Sequence, residues 1–317
     1  MPGDEEERQQ RDIATSDESV LAVGDLAPAF RARHIFVGLA WYELLTIFLI
    51  LAAEGLLFAR PRYSVVAVGI LALNIITVAV IVMAVHGERV QLVVALALIS
   101  LSRVLSLSFV LVPPIYLLAI IYGVMSLPLI SVISTVSLWA YLTINGVMFI
   151  PIIAIIAHRK LSRHDLGLTR DLRLMYLIPL GIIVGVGLAL IEYSILANSP
   201  LIRVIPNASA SELIQLSIVM IFFVAVFEEL LFRVVLQPPL IERSGAVAGI
   251  LITSVIFGAI HAGYGNVYEL LFTTGAGLVF GVAFYKTKSL PFVVTMHAVD
   301  DILLFGVLPF LPLVLPH

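Results

Sequence analysis

What most constrains this chain is a series of apolar runs of about 20 residues, each long enough to cross a bilayer as a helix. The runs are Ile35–Ala59, Tyr63–Val85, Val90–Val112, Pro114–Thr135, Val136–Ala157, Leu174–Ala197, Glu212–Leu236, Ala246–Gly263, Tyr268–Tyr285 and Leu290–Pro316. Inside hydrocarbon every backbone N–H and C=O needs an internal partner, so such runs fold as helices. The expected fold class is therefore all-α, a polytopic transmembrane bundle of about ten helices, with about eight as the lower count. Pro113, Pro114 and Pro128 divide the nearly unbroken apolar stretch from Val90 to Ala157. Pro309 and Pro312 interrupt the last run.

Composition agrees. The chain is 61% hydrophobic and 12% charged, against about 45–50% and about 25% in an average soluble domain. That excludes a soluble globular enzyme and a disordered scaffold. Lys+Arg number 18 against 21 Asp+Glu, so nucleic-acid binding has no support. There are 0 cysteines, which removes disulfides, thiolate zinc sites and a cysteine nucleophile.

Three segments follow. Residues 1–34 carry Asp4, Glu5, Glu6, Glu7, Asp12, Asp17, Glu18 and Asp25 against four arginines, and read as a solvated, disordered tail. This tail lacks the basic start and short apolar core of a signal peptide. Residues 35–200 form an N-terminal bundle of about six helices. Residues 201–317 form a second bundle, with most of the unusual polar residues.

Orientation follows the Lys/Arg loops. The richest loop holds Arg159, Lys160, Arg163, Arg170 and Arg173 and is expected to be cytoplasmic. With ten helices it shares its side with Arg60, Arg62, Arg243, Lys286 and Lys288. Arg89, Arg203 and both termini then lie outside. The expected location is an integral, multi-pass protein of the cell membrane, with the lipid bilayer as its first partner.

Ionisable side chains within membrane spans are costly and functional by default. In the first half, Glu43, Glu54, Arg103 and Glu192 read as pairs or snorkelling groups. Gly181, Gly185, Gly275, Gly277 and Gly281 read as close helix packing. The second half concentrates Glu228, Glu229, Arg233, His261, His297, Asp300 and Asp301 in three apolar runs. Of 7 histidines, only His261 and His297 lie inside apolar runs. Glu229 and Arg233 are i and i+4, so they share a helix face as an ion pair. Glu228 is turned about 100° away and is left to face the bundle. His297 and Asp301 share a face at i and i+4, with Asp300 as the competing partner.

A buried carboxylate beside a histidine can activate water as a general base. A second histidine can donate to a developing oxyanion. That is a peptide hydrolase without a covalent intermediate, and no G-x-S-x-G serine is present. The same residues also suit zinc with an open position, although H-E-x-x-H is absent. A proton relay in a transporter is the remaining chemistry of such a set.

These residues resemble a known family. Glu228-Glu229-x-x-x-Arg233 is similar to the E-E-x-x-x-R motif of the CPBP intramembrane proteases, which include the type II CAAX prenyl endopeptidases and bacteriocin-processing or immunity proteins. Phe257-x-x-x-His261 resembles their second motif and His297-x-x-x-Asp301 their third. Many members carry Asn where this chain has Asp301. The resemblance covers roughly Glu212 to Phe305. It implies an intramembrane glutamic endopeptidase acting on a membrane-associated substrate, with a prenylated CAAX protein as one candidate. Glu228 would be the general base and His261 would hold the water. His297 and Asp301 would form the oxyanion side, and Glu229 with Arg233 would be the supporting pair. Phe257 would be packing. No cofactor is implied, with zinc as the alternative. A non-proteolytic scaffold or immunity protein is the alternative function.

Overall fold

The computed structural model describes residues 38–59, 64–84, 89–111, 138–168, 172–199 and 202–311. The acidic tail and the Pro114–Thr135 run lie outside them. Among the described residues the secondary structure is helical, with no strand. The helices are α1 (Trp41–Ala59), α2 (Ser64–Ala84), α3 (Arg89–Leu111), α4 (Leu138–His158) and α5 (Leu174–Leu196). A long helix α6 follows, then α7 (Ala246–Ala259), α8 (Val267–Thr287) and α9 (Leu290–Ile302). Six helices are long and apolar enough to cross a membrane. The protein is an integral, multi-pass membrane protein.

Helix α6 is not regular. It starts as an α-helix over Ala210–Val219 and becomes π-helical over Met220–Ala225. One short α-helical turn, Val226–Glu229, precedes a second π-helical stretch, Leu230–Leu236, and α6 closes as Gln237–Ser244. It therefore continues eight residues past the expected end at Leu236. π-Helical turns insert residues into a helix and cluster at functional sites. Here they bracket Glu228 and Glu229. Helix α9 likewise passes through a π-helical stretch, Leu303–Val307, and a 3₁₀ turn, Leu308–Phe310. The expected interruption at Pro309 is thus present.

Capping ends the helices where the site needs them. Asn266 accepts from Tyr268 N at 2.9 Å and starts α8. Ser289 accepts from Phe292 N at 3.4 Å and starts α9, with Pro291 in its first turn. One hydrophobic core joins both halves of the chain, from Leu39, Ile50 and Leu96 to Phe232, Phe257 and Met296. A second core gathers Leu196, Ile202, Ile205, Leu216 and Leu304.

The connections correct the expected topology. Glu43, at the start of α1, pairs with Arg243 at 3.1 Å and with Arg89, at the start of α3, at 3.7 Å. Gly38 abuts the Arg243 carbonyl. Arg159 lies within electrostatic reach of Arg243. Leu290 N donates to Gly167 O at 3.1 Å. The start of α1 therefore shares its face with Arg89, Arg243 and the 159–168 loop. Arg89 is not opposite that loop, which corrects its expected side. The positive-inside rule now places the start of α1 with the basic loop. Leu138, the first residue of α4, packs on the second core beside Leu196.

Two of the five glycines pack α5 on α9. A Cβ on Gly185 would stand 2.5 Å from Met296 O and 2.8 Å from Val299 Cβ, and one on Gly181 3.2 Å from Phe292 O. Gly277 and Gly281 face Phe257 and Gln237, while nothing lies near Gly275. Gly185→Leu is expected to push α5 off α9 and cost about 1–3 kcal/mol by overpacking. A lowered unfolding midpoint in detergent is the check, and an unchanged midpoint would show that α5 is not held by this contact.

Candidate active site

The site is assembled around Glu229, which is fully buried. Its Oε2 accepts from Arg233 Nε at 2.9 Å, one helical turn on. Its Oε1 lies 2.9 Å from His297 Nδ1 on α9. An ionised carboxylate only accepts, so His297 Nδ1 carries the proton in this bond. That leaves His297 Nε2 as the working nitrogen. It faces Asp301 Oδ2 at 3.6 Å and Glu228 Oε2 at 4.0 Å. Both gaps exceed hydrogen-bond length. Glu228 Oε2 and Asp301 Oδ2 are buried and have no hydrogen-bond partner. Two unpartnered carboxylate oxygens thus converge on one imidazole nitrogen. Buried polar atoms left in this way call for a polar guest such as water.

His261 follows the last turn of α7, with φ −88° and ψ 3°. Its Nδ1 is 2.8 Å from Phe257 O. A carbonyl accepts, so Nδ1–H donates and Nε2 of the neutral ring keeps its lone pair. The Phe257 ring lies 5.1 Å from the His261 ring and 5.9 Å from the His297 ring. Phe280 stacks on His297 at 5.3 Å. The expected packing role of Phe257 is what the contacts show. Its ring spaces the two histidines and also covers Arg233, whose guanidinium carbon sits 5.2 Å above it. Arg233 is fully buried among Phe232, Phe257 and Phe280.

The structure therefore brings Glu228, Glu229, Arg233, His297 and Asp301 into one cluster, with His261 joined to it through Phe257. Two readings are refined. Glu229 is not occupied by Arg233 alone, because its second oxygen holds His297. Asp301, and not Asp300, faces His297 Nε2. Asp300 contacts Glu192 of α5, which in turn meets Glu269 in the first turn of α8. This three-carboxyl contact is not foreshadowed by spacing, since its members are far apart in sequence. Among the described residues no group of three or more His, Asp or Glu side chains is arranged to hold a metal ion.

No curated protein and no solved structure matches the chain. One family model does, described as type II CAAX prenyl endopeptidase Rce1-like, over residues 210–303. That range contains α6 to α9 and every residue of the cluster. At the level of the family this is a peptide hydrolase of the membrane. Residues 210–303 are thus similar to the Rce1-like type II CAAX prenyl endopeptidase family.

Proposed function

We propose that this domain hydrolyses a peptide bond of a prenylated, membrane-associated substrate with water activated by Glu228 and His261. The observation that carries this reading is the convergence of the unpartnered Glu228 and Asp301 oxygens on His297 Nε2. A water held by Glu228 Oε2 and the lone pair on His261 Nε2 would lose its proton to Glu228 as its oxygen attacks the scissile carbonyl carbon. The oxyanion would take a hydrogen bond from Nε2–H of His297 in its doubly protonated form, with Nδ1–H on Glu229 and Asp301 beside the ring. When the C–N bond breaks, Glu228 returns the proton to the leaving amine. Net, one water is consumed, giving an acid and an amine.

The test is a farnesylated C-a-a-X reporter beside its unprenylated twin, with wild type and His261→Ala, each with and without a chelator. Chelator-resistant cleavage of the prenylated reporter is expected. His261→Ala should lower it by roughly 10²-fold or more. Loss on chelation, restored by zinc, would replace this mechanism with a metal-dependent one. No cleavage by folded wild type would favour the scaffold function.

A further inference from the structure

Arg103 lies outside residues 210–303, on a helix that carries none of the three motifs. Its placement links it to the site all the same. Glu43 clamps Arg89, where α3 begins, and Arg243, near the end of α6. From that clamp Arg103 is fourteen residues along α3, and Glu228 is fifteen residues back along α6. At 1.5 Å per residue both lie about 21–23 Å from it. Helix α3 packs directly on the π-helical stretch Leu230–Leu236 that follows Glu228 and Glu229. Arg103 is within electrostatic reach of both Glu228 and His261.

The guanidinium is held from one side. Arg103 Nε donates to Glu54 Oε1 at 2.6 Å and Nη2 to Glu54 Oε2 at 2.9 Å. Glu54 is 1% exposed, whereas the Arg103 side chain keeps 14%. A guanidinium has five N–H donors, so this pair leaves both donors of Nη1 and one of Nη2. The contrast with Arg233 is direct. Nη1 and Nη2 of Arg233 are sealed and unpartnered, and no nitrogen of Arg103 is. Arg103 is pre-oriented by a buried carboxylate and keeps uncommitted donors within electrostatic reach of Glu228 and His261.

We infer that Arg103 is a substrate-binding residue whose free guanidinium edge receives the C-terminal carboxylate of the peptide. The inference rests on the endopeptidase reading above. A planar fork matches a carboxylate with two parallel hydrogen bonds. An anion brought into this depth is costly unless it is paired. The C-terminus is the anion that every peptide cut near its end must bring. An extended peptide end of about three residues spans about 10 Å, a reach that would let a carboxylate at Arg103 and a bond at Glu228 belong to one peptide.

The experiment uses full-length protein carrying Glu228→Gln, so that peptides bind without being cut. Binding of a fluorescent farnesylated peptide acid is compared with its C-terminal carboxamide. The acid should bind roughly 10–100-fold more tightly. Arg103→Gln should remove that preference by weakening the acid alone, and Arg103→Lys should keep part of it. The double variant Arg103→Gln/Glu54→Gln retains a neutral hydrogen-bonded pair and should show the same loss in folded protein. Equal binding of acid and amide, or a preference that survives Arg103→Gln, overturns the inference. Cleavage is measured in parallel with Glu228 intact. Cleavage without acid preference would sink this inference and leave the endopeptidase. Acid preference without cleavage would sink the endopeptidase and leave the carboxylate site.

Discussion

Glu228→Gln should abolish peptide hydrolysis while leaving the protein folded. The substitution keeps the volume of the side chain and its ability to hold a water. It removes the ability to take a proton. If Glu228 is the base, kcat should fall roughly 10²–10⁴-fold. KM should move little, because the amide still fills the same place beside the peptide. Stability should hold or rise. Glu228 Oε2 is buried with no hydrogen-bond partner, and its nearest imidazole nitrogen is 4.0 Å away. Replacing such a carboxylate with an amide relieves a desolvated charge and gives up only the long contact with His297. Kinetics on a cleavable reporter and an unfolding curve in the same detergent decide the matter. Activity within a few-fold of wild type would remove Glu228 from the chemistry.

The contrast between Glu228 and its neighbour marks how far the sequence can be read. The pair Glu229–Arg233 is legible because four residues make about one helical turn. That pairing leaves Glu228 as the acid free to act, and the structure keeps it free. The Glu229–His297 bond is not legible, because it joins residues 68 apart through the packing of α6 on α9. Spacing puts Asp301 first beside His297 and leaves Asp300 as the competing partner. Contact between α5 and α9 separates them, since Glu192 takes Asp300 and leaves Asp301 to the imidazole.

The fold shows the same division. Apolar runs locate the helices, because hydrocarbon leaves a spanning backbone little alternative. They do not locate the face on which each helix starts. The side expected for Arg89 depends on the number of crossings counted in the nearly unbroken stretch from Val90 to Ala157. The salt bridges of Glu43 with Arg89 and Arg243 correct that side. The π-helical stretches that aim Glu228 and Glu229 are also invisible in the sequence. An i→i+5 turn needs no residue type that an α-helix forbids.

Arg233→Met should be the most destabilising single change in the catalytic cluster. Arg233 and Glu229 are both fully buried and joined at 2.9 Å. Removing the guanidinium leaves Glu229 as a buried anion held only by His297. Breaking such a pair costs about 3–5 kcal/mol. Unfolding in detergent should register this as a large fall in midpoint. A midpoint equal to wild type would mean that the three aromatic rings, not the ion pair, hold this part of α6. The double variant Arg233→Met/Glu229→Gln then separates packing from chemistry. It removes both charges, and a glutamine oxygen can still accept from His297 Nδ1. Most of the lost stability should return, because a neutral pair has no stranded charge. Activity should stay at least about tenfold below wild type. A neutral amide can orient the imidazole, but it supports positive charge on that ring less well than a carboxylate does, and that charge is what an oxyanion opposite Nε2 requires.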